Sequence, residues 1–338
     1  MRAVGYRHSL PIADAQSLLD IEVDKPAPRD RDILVQVKAI SVNPVDTKVR
    51  KRAAPKDGEP PKILGYDATG VVAAIGPDVT LFRPGDAVWY AGSIIRQGTN
   101  SEFHLVDERI VGAKPNSLDF AAAAALPLTS ITAWEVLFDR LGLAKGGGEG
   151  QSLLIIGGGG GVGSIAIQLA RTLTKLTVIA TASRPETQAW CRQLGAHYVV
   201  DHSKPMVEQI RGLGPRFVDY VFGVTESGDH FDTVVEVIAP HGKFALIDDP
   251  KTLDTIKFKG KSASVHWEAM FTRSTFQTPD MIEQHKLLSE VAAMVDKGTI
   301  RTTVAENLGT INAANLRRAH AMIESGRTRG KIVLEGWG

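Results

Sequence analysis

Apolar and polar positions follow two different periods along the chain, and the change falls near residue 120. Before it, short apolar stretches end in turn chemistry. Ile33 to Val37 alternates apolar and polar side chains, as a half-buried strand does. Thr69 to Ile75 is rich in β-formers and closes at Gly76-Pro77. Phe82-Arg83-Pro84-Gly85-Asp86 reads as a turn, after which Ala87 to Tyr90 resumes a strand. Arg50 to Pro61 is charged and rich in Pro and Gly, which predicts an exposed loop. The opening segment is expected to form an all-β, barrel-like domain.

After residue 120 strands and helices alternate. Phe120 to Leu143 carries alanine-rich and amphipathic helical patterns, and Lys145 to Gly150 is a glycine-rich turn. Ser152 to Ile156 is a continuous apolar strand, followed by a helix over Val162 to Leu173. Leu176 to Thr181 is a strand, Pro185 to Leu194 a helix, and Tyr198 to Val200 a short strand. Phe217 to Phe222 and Lys243 to Ile247 are two more. This alternation predicts a parallel sheet with covering helices. Two further helices, Met281 to Asp296 and Asn312 to Glu324, precede a last strand at Lys331 to Leu334.

The junction at Leu153 to Ala170 carries the clearest chemistry. LLIIGGGGGVGSIAIQLA contains Gly158-x-Gly160-x-x-Gly163 between a buried strand and an amphipathic helix. That motif is weak alone and specific in this context. Glycines permit the tight turn and let a pyrophosphate approach the backbone, and the helix N-terminus offers free N–H groups to it. Gly158, Gly160, Gly161, Val162 and Gly163 are therefore expected to hold a dinucleotide. No Gly-Lys-Ser/Thr follows, which argues against a nucleoside triphosphatase. At the end of the next strand an NAD enzyme would place Asp or Glu. This chain has Ala182-Ser183-Arg184 instead. Ser183 can donate a hydrogen bond and Arg184 can pair with a 2′-phosphate, so NADPH is the expected cofactor. The alternative for Arg184 is a solvated loop charge.

Composition narrows the classes. The 338 residues carry 39 basic and 38 acidic side chains, a net charge of +1. No global basic field exists to recruit nucleic acid or an anionic membrane. A single cysteine, Cys191, excludes an intrachain disulfide and any site that needs several thiolates. The N-terminus lacks the order of a signal peptide, and the longest apolar run, Phe120 to Leu128, is shorter than the ~20 residues of a membrane span. A cytoplasmic protein with no membrane or nucleic-acid partner is expected.

Together these residues resemble the medium-chain dehydrogenase/reductases, in particular the quinone oxidoreductase (zeta-crystallin-like) branch and its bacterial zinc-type alcohol dehydrogenase-like group. The signatures run in order along the chain. They are Asn43-Pro44-Val45-Asp46, Leu64-Gly65-Tyr66-Asp67-x-x-Gly70, Phe82 to Val88, Ala124 to Thr129, the glycine loop, Leu194-Gly195-Ala196 and Gly330 to Leu334. The resemblance implies an α/β architecture. A GroES-like β-barrel catalytic domain (1–125 and 269–338) would carry an inserted Rossmann doubly wound parallel-sheet domain (126–268) that binds NADP. It also implies a homodimer and an active site in the cleft. Phe222 and Ile247 would line the nicotinamide side, and Lys331 would approach the cofactor.

The same resemblance bears on zinc. At the positions of the zinc alcohol dehydrogenases' Cys and His-Glu ligands this chain has Asn43, Tyr66 and Asp67. The second Cys falls near Leu128. Asn and Tyr are poor zinc ligands. The nine histidines form no ligand-spaced pair, and His197 and His202, flanking a strand, read as surface or packing residues. No functional metal is expected.

Without a Lewis acid, hydride addition to a conjugated acceptor is easier than alkoxide formation. The expected activity is NADPH-dependent reduction of a quinone or α,β-unsaturated carbonyl. Asn43, Tyr66 and Thr129 are the catalytic candidates. Asn43 and Tyr66 would bond a substrate oxygen, or else brace a loop and pack a wall. Thr129 would bond the nicotinamide carboxamide, or else cap a helix. Asp46 and Asp67 read as braces. Trp267, Met270, Phe271 and Phe276 would form an acceptor pocket or pack a core. The competing readings are a zinc alcohol dehydrogenase with atypical ligands and an NADPH-binding redox sensor with little turnover.

Overall fold

The computed structural model describes residues 1–214 and 216–338. The chain forms two compact units, Met1–Ile131 with Phe271–Gly338, and Thr132–Met270. The first break falls later than the expected residue 125. Leu128, past that boundary, donates its N–H to the fully buried Asp67 carboxylate at 2.8 Å, which keeps the start of the following helix with the first unit.

The first unit begins with strands β1 (Arg2–Tyr6), β2 (Leu19–Glu22) and β3 (Asp32–Val42), then helix α1 (Pro44–Arg52). Strands β4 (Lys62–Ile63), β5 (Ala68–Ile75), β6 (Ala87–Tyr90), β7 (Phe103–Asp107) and β8 (Val111–Ala113) follow, then helices α2 (Phe120–Ala124) and α3 (Pro127–Trp134). The helical stretch Phe120–Arg140 is long and apolar enough to cross a membrane, contrary to the reading from run length. Yet 89% of its most apolar window is buried inside the fold, as for a core helix.

Within the first unit β3 is the spine. One of its edges pairs antiparallel with β5. The other is shared, with β7 beside Asp32 to Gln36 and the chain's last strand beside Ala39 to Val42. The segment expected as a loop from Arg50 onward starts inside α1. Asn43 occupies the N-cap position, Pro44 opens the helix, and Arg50, Lys51 and Arg52 complement its C-terminal end. Arg50 is fully buried rather than solvated. It donates to the Leu10 carbonyl and pairs with Glu324.

The second unit contains β9 (Ser152–Ile156), α4 (Gly161–Leu173), β10 (Thr177–Thr181), α5 (Pro185–Gln193) and β11 (Tyr198–Val200). It continues with α6 (Met206–Gly212), β12 (Val218–Gly223), α7 (Phe231–Val237), β13 (Ile238–Leu246) and β14 (Ser264–Trp267). Its six strands form one parallel sheet in the order β11-β10-β9-β12-β13-β14. Aliphatic strand faces and the helices α6 and α7 supply a core that includes Leu154, Ile179, Val221, Val234 and Leu246. The strand order reverses at β9, and such a switch point opens a crevice at the strands' C-terminal ends.

The chain then returns to the first unit through α8 (Thr272–Phe276), α9 (Ile282–Asp296), β15 (Val304–Asn307), α10 (Ala313–Glu324) and β16 (Lys331–Glu335). β16 pairs with β3 and places Lys331 beside the start of α1.

Candidate functional site

Each unit contains one site. In the second unit β9 delivers the chain into Gly157, whose φ of +91° suits glycine. Gly157 N–H donates to Thr181 Oγ1 at 3.0 Å and Gly158 N–H to the Thr181 carbonyl at 3.0 Å, which fixes the loop to the end of β10. A Cβ on Gly163 would lie 2.3 Å from the Gly157 carbonyl oxygen, so only glycine lets the first turn of α4 close on the loop. Gly160 is the N-cap, and Gly161 and Val162 are half-buried in the first turn. Their N–H groups have no acceptor within the helix, as for any first turn, and suit an anionic pyrophosphate. The loop thus fits a dinucleotide through its backbone.

The groups that select the nucleotide lie at the same edge. Ser183 and Arg184 are half-buried just beyond β10, with no carboxylate at the end of that strand. Arg184 is not free. It pairs with Glu186 at 3.3 Å, an exposed contact worth about 0–1 kcal/mol that an incoming phosphate would displace. Phe222 is fully buried, which leaves only its backbone for a ligand. Ile247 is half-buried and its N–H donates to the Gly223 carbonyl at 3.2 Å. The Cys191 thiol lies under the loop, buried and pushed up to about 12 by desolvation.

The first unit's site is built from side chains. Asp67 is fully buried and its carboxylate accepts four hydrogen bonds. Oδ2 accepts from Ser41 Oγ at 2.7 Å, Asn43 Nδ2 at 2.8 Å and Lys331 Nζ at 3.0 Å. Oδ1 accepts from Leu128 N–H at 2.8 Å. Lys331 also donates to Asn43 Oδ1 and to the Val42 carbonyl. All three ammonium protons therefore have acceptors within the unit. Those are the contacts of Lys331, the residue expected to approach the cofactor, among the described residues. It serves as the counter-ion of Asp67. Asn43 likewise spends its carbonyl and one amide proton on this pair. Thr129, 2% exposed, turns its hydroxyl back onto the Leu126 carbonyl at 3.1 Å.

Asp46 joins this cluster to the Tyr66 turn. Its carboxylate accepts from Asn43 N–H at 2.7 Å and from Gly65 N–H at 3.0 Å. Burial raises it to about 7, against the pull of those two N–H groups and of Lys331. Gly65 has a φ of +111°, which turns the chain so that Tyr66 points inward. Tyr66 is fully buried, its ring edge-on to Phe271 with centroids 5.3 Å apart. Its hydroxyl has no hydrogen-bond partner among the described residues. Burial, with the Asp46 charge, holds the phenol well above its ordinary value, so it keeps its proton. A buried donor without an acceptor is costly and marks a place for a ligand oxygen. The aromatic cluster expected further on is not a buried one, since Trp267 is 57% and Phe276 75% exposed.

Zinc does not fit these residues. The carboxylate at the family's ligand position already accepts from four donors, one of them a cation. Its neighbours Asn43 and Tyr66 offer no thiolate or imidazole. Among the described residues no group of three His, Cys, Asp or Glu could hold a metal.

The profile of the "Alcohol dehydrogenase GroES-like domain" matches residues 29–116, and that of the "Zinc-binding dehydrogenase" matches residues 194–334. A "zinc-type alcohol dehydrogenase-like protein" of Staphylococcus aureus is 40% identical over 339 residues, covering 99% of both chains. Human mitochondrial "NAD(P)H oxidoreductase RTN4IP1" is 32% identical, over 90% of this chain and 81% of that one. Among solved structures, a Rhizobium etli protein named for the zinc-dependent alcohol dehydrogenases is 59% identical. It covers 100% of this chain and 98% of its own, with a TM-score of 0.96. A Pseudomonas syringae quinone oxidoreductase is 25% identical, covers 99% of both chains and gives a TM-score of 0.84. A glycine loop on a parallel sheet, a GroES-like β unit and full-length relatives agree, and the chain belongs to the medium-chain dehydrogenase/reductase superfamily of oxidoreductases.

Proposed function

We propose that the protein is an NADPH-dependent reductase of quinones or α,β-unsaturated carbonyls that works without a metal. The observation that carries this reading is the state of Asp67. It is paired with the Lys331 ammonium and accepts from Ser41, Asn43 and the Leu128 N–H, and no thiolate or imidazole stands beside it to complete a ligand set for a Lewis acid. An acceptor reduced here must already be electrophilic, as conjugated carbonyls and quinones are. NADPH bound at the glycine loop supplies hydride from nicotinamide C4. Tyr66 then has a defined task. Its proton is held, its hydroxyl is unpartnered, and it donates a hydrogen bond to the acceptor oxygen as charge develops there. Lys331, Asn43 and Asp46 keep the Tyr66 turn and the start of α1 in place. The human relative named as an NAD(P)H oxidoreductase supports the cofactor class. The missing carboxylate after β10 favours NADPH over NADH.

The test uses chelator-treated protein and follows NADPH oxidation with phenanthrenequinone, a 2-alkenal and a saturated aldehyde, with NADH in parallel. Turnover of the quinone or the alkenal, faster with NADPH, is the expected result. Tyr66→Phe should lower kcat about 100-fold with little change in the affinity for NADPH. Reduction of the saturated aldehyde alone, and only after zinc is restored, would establish the zinc alcohol dehydrogenase reading instead.

A further inference from the structure

The strands β10 and β11 are parallel neighbours, with Thr181 opposite Val200. Adjacent strands lie about 4.8 Å apart, so the segments that leave them at one edge, 182–184 and 201–203, run side by side. The first contains Ser183 and Arg184. The second contains His202, a half-buried imidazole. His202 Nδ1 lies 3.2 Å from Thr181 Oγ1, the same hydroxyl that accepts the Gly157 N–H. One threonine thus ties the imidazole to the loop that opens the dinucleotide site. Nε2 of His202 has no partner among the described residues.

We propose that His202 completes the 2′-phosphate site beside Ser183 and Arg184, and that it takes up a proton when NADPH binds but not when NADH binds. This deepens the NADPH reading and rests on it.

The surroundings of His202 set the sign. The His230 ring, from the start of α7, lies 6.1 Å away and opposes a second positive charge. Glu226, 3.8 Å from His230 Nε2, and Asp201 favour it. Asp201 is largely engaged by Ser203 and Lys204, and Arg184 by Glu186. Burial is the largest influence and holds the imidazole below its ordinary value. The free protein therefore carries a neutral His202 above neutrality. A phosphate dianion at the same edge reverses the balance, whereas a ribose 2′-hydroxyl brings no charge and moves no proton. Thr181 serves both states. It donates to Nδ1 of the neutral ring, and it accepts from Nδ1–H of the cation through its second lone pair.

The experiment is calorimetric titration of the full chain with NADPH and with NADH in two buffers of different ionisation enthalpy, repeated between about pH 8 and pH 6.5. The expected result is proton uptake, of up to about one proton, with NADPH alone. NADPH affinity should rise by at most about tenfold per pH unit as the pH falls across this range. The phosphate's own protonation near about pH 6 acts in the opposite direction and persists in every variant. His202→Gln should abolish the uptake and the rise in NADPH affinity on acidification, leaving only the opposite slope of the phosphate itself, without changing NADH affinity. His230→Gln should leave the uptake in place. Proton uptake that survives in His202→Gln, or tight NADPH binding with no uptake in the unaltered protein, would overturn the assignment of His202. NADPH binding no tighter than NADH at any pH would overturn the NADPH reading as well.

Discussion

The two units bury different materials. The second has an apolar interior of aliphatic side chains and packed phenylalanine rings, and its glycine loop presents backbone groups at the C-terminal edge of a parallel sheet. The first buries Arg50, Asp46, Asp67, Lys331, His104 and His320 among its strands and helices. Its site consists of side chains that neutralise one another. A backbone site tolerates change wherever the glycine geometry survives. A side-chain site of interlocked charges fails as a whole when one member is removed.

The largest effect should come from breaking the ion pair on one side. Asp67→Leu strands the Lys331 ammonium and should cost about 3–5 kcal/mol, confined to the first unit. Hydrogen exchange resolved by peptide would show that unit opening while the glycine loop keeps its protection. The double variant Asp67→Leu/Lys331→Met should recover most of the loss. Equal damage from the single and double variants would mean that the pair matters for packing rather than for charge.

Next in size is a contrast within the second unit. Gly163→Ala drives a Cβ to 2.3 Å from the Gly157 carbonyl oxygen and should cost about 2–3 kcal/mol with loss of NADPH binding. Gly160→Ala meets nothing nearer than 3.8 Å and should cost only about 1 kcal/mol, that of a poorer N-cap residue, read from the shift of the urea midpoint.

The smallest effect is acid sensitivity. Burial depresses His104 to about 4 and His320 to about 3, so both stay neutral in the fold. As pH falls below the unfolded value of about 6.5, the unfolded chain binds protons that the folded one refuses. Each histidine then lowers stability by about 2 kcal/mol by pH 5. Asp46, raised to about 7, acts in the opposite sense over the same window, since the folded state binds its proton first. Two histidines against one carboxyl leave a net loss. His320→Leu should remove most of it, as read from urea midpoints between pH 7 and pH 5. A steeper acid loss in that variant would contradict the buried neutral histidine.

The difference between the units also explains what the sequence made legible. The glycine loop was readable because its residues are contiguous and backbone geometry dictates their type. The strand at Ser152–Ile156 and the helices around it followed from uninterrupted periodicity. In the first unit Ser41, Asn43, Asp46, Asp67 and Lys331 are joined by strand pairing between β3 and β16, and no local pattern announces such a meeting. Lys331 was expected at the cofactor because the family resemblance implies it, and nothing near it in the sequence announces its pairing with Asp67. Arg50 lay in a charged stretch that resembled a loop. Only the Leu10 carbonyl and Glu324, both distant in sequence, draw it inside. His202 was set aside as a packing residue because its link to the glycine loop runs through Thr181.

The insertion of the second unit into the first has a consequence for biosynthesis. Residues 132–270 emerge from the ribosome as one continuous segment and can close their sheet as soon as they appear. Residues 1–131 emerge earlier but must wait, because the strand that completes their sheet is among the last to be made. Until Lys331 arrives, the Asp67 carboxylate has no counter-ion to be buried with. The first part of the polypeptide to be translated is therefore the last to lock, and a nascent chain halted before β16 would hold a finished nucleotide-binding unit beside an unfinished barrel.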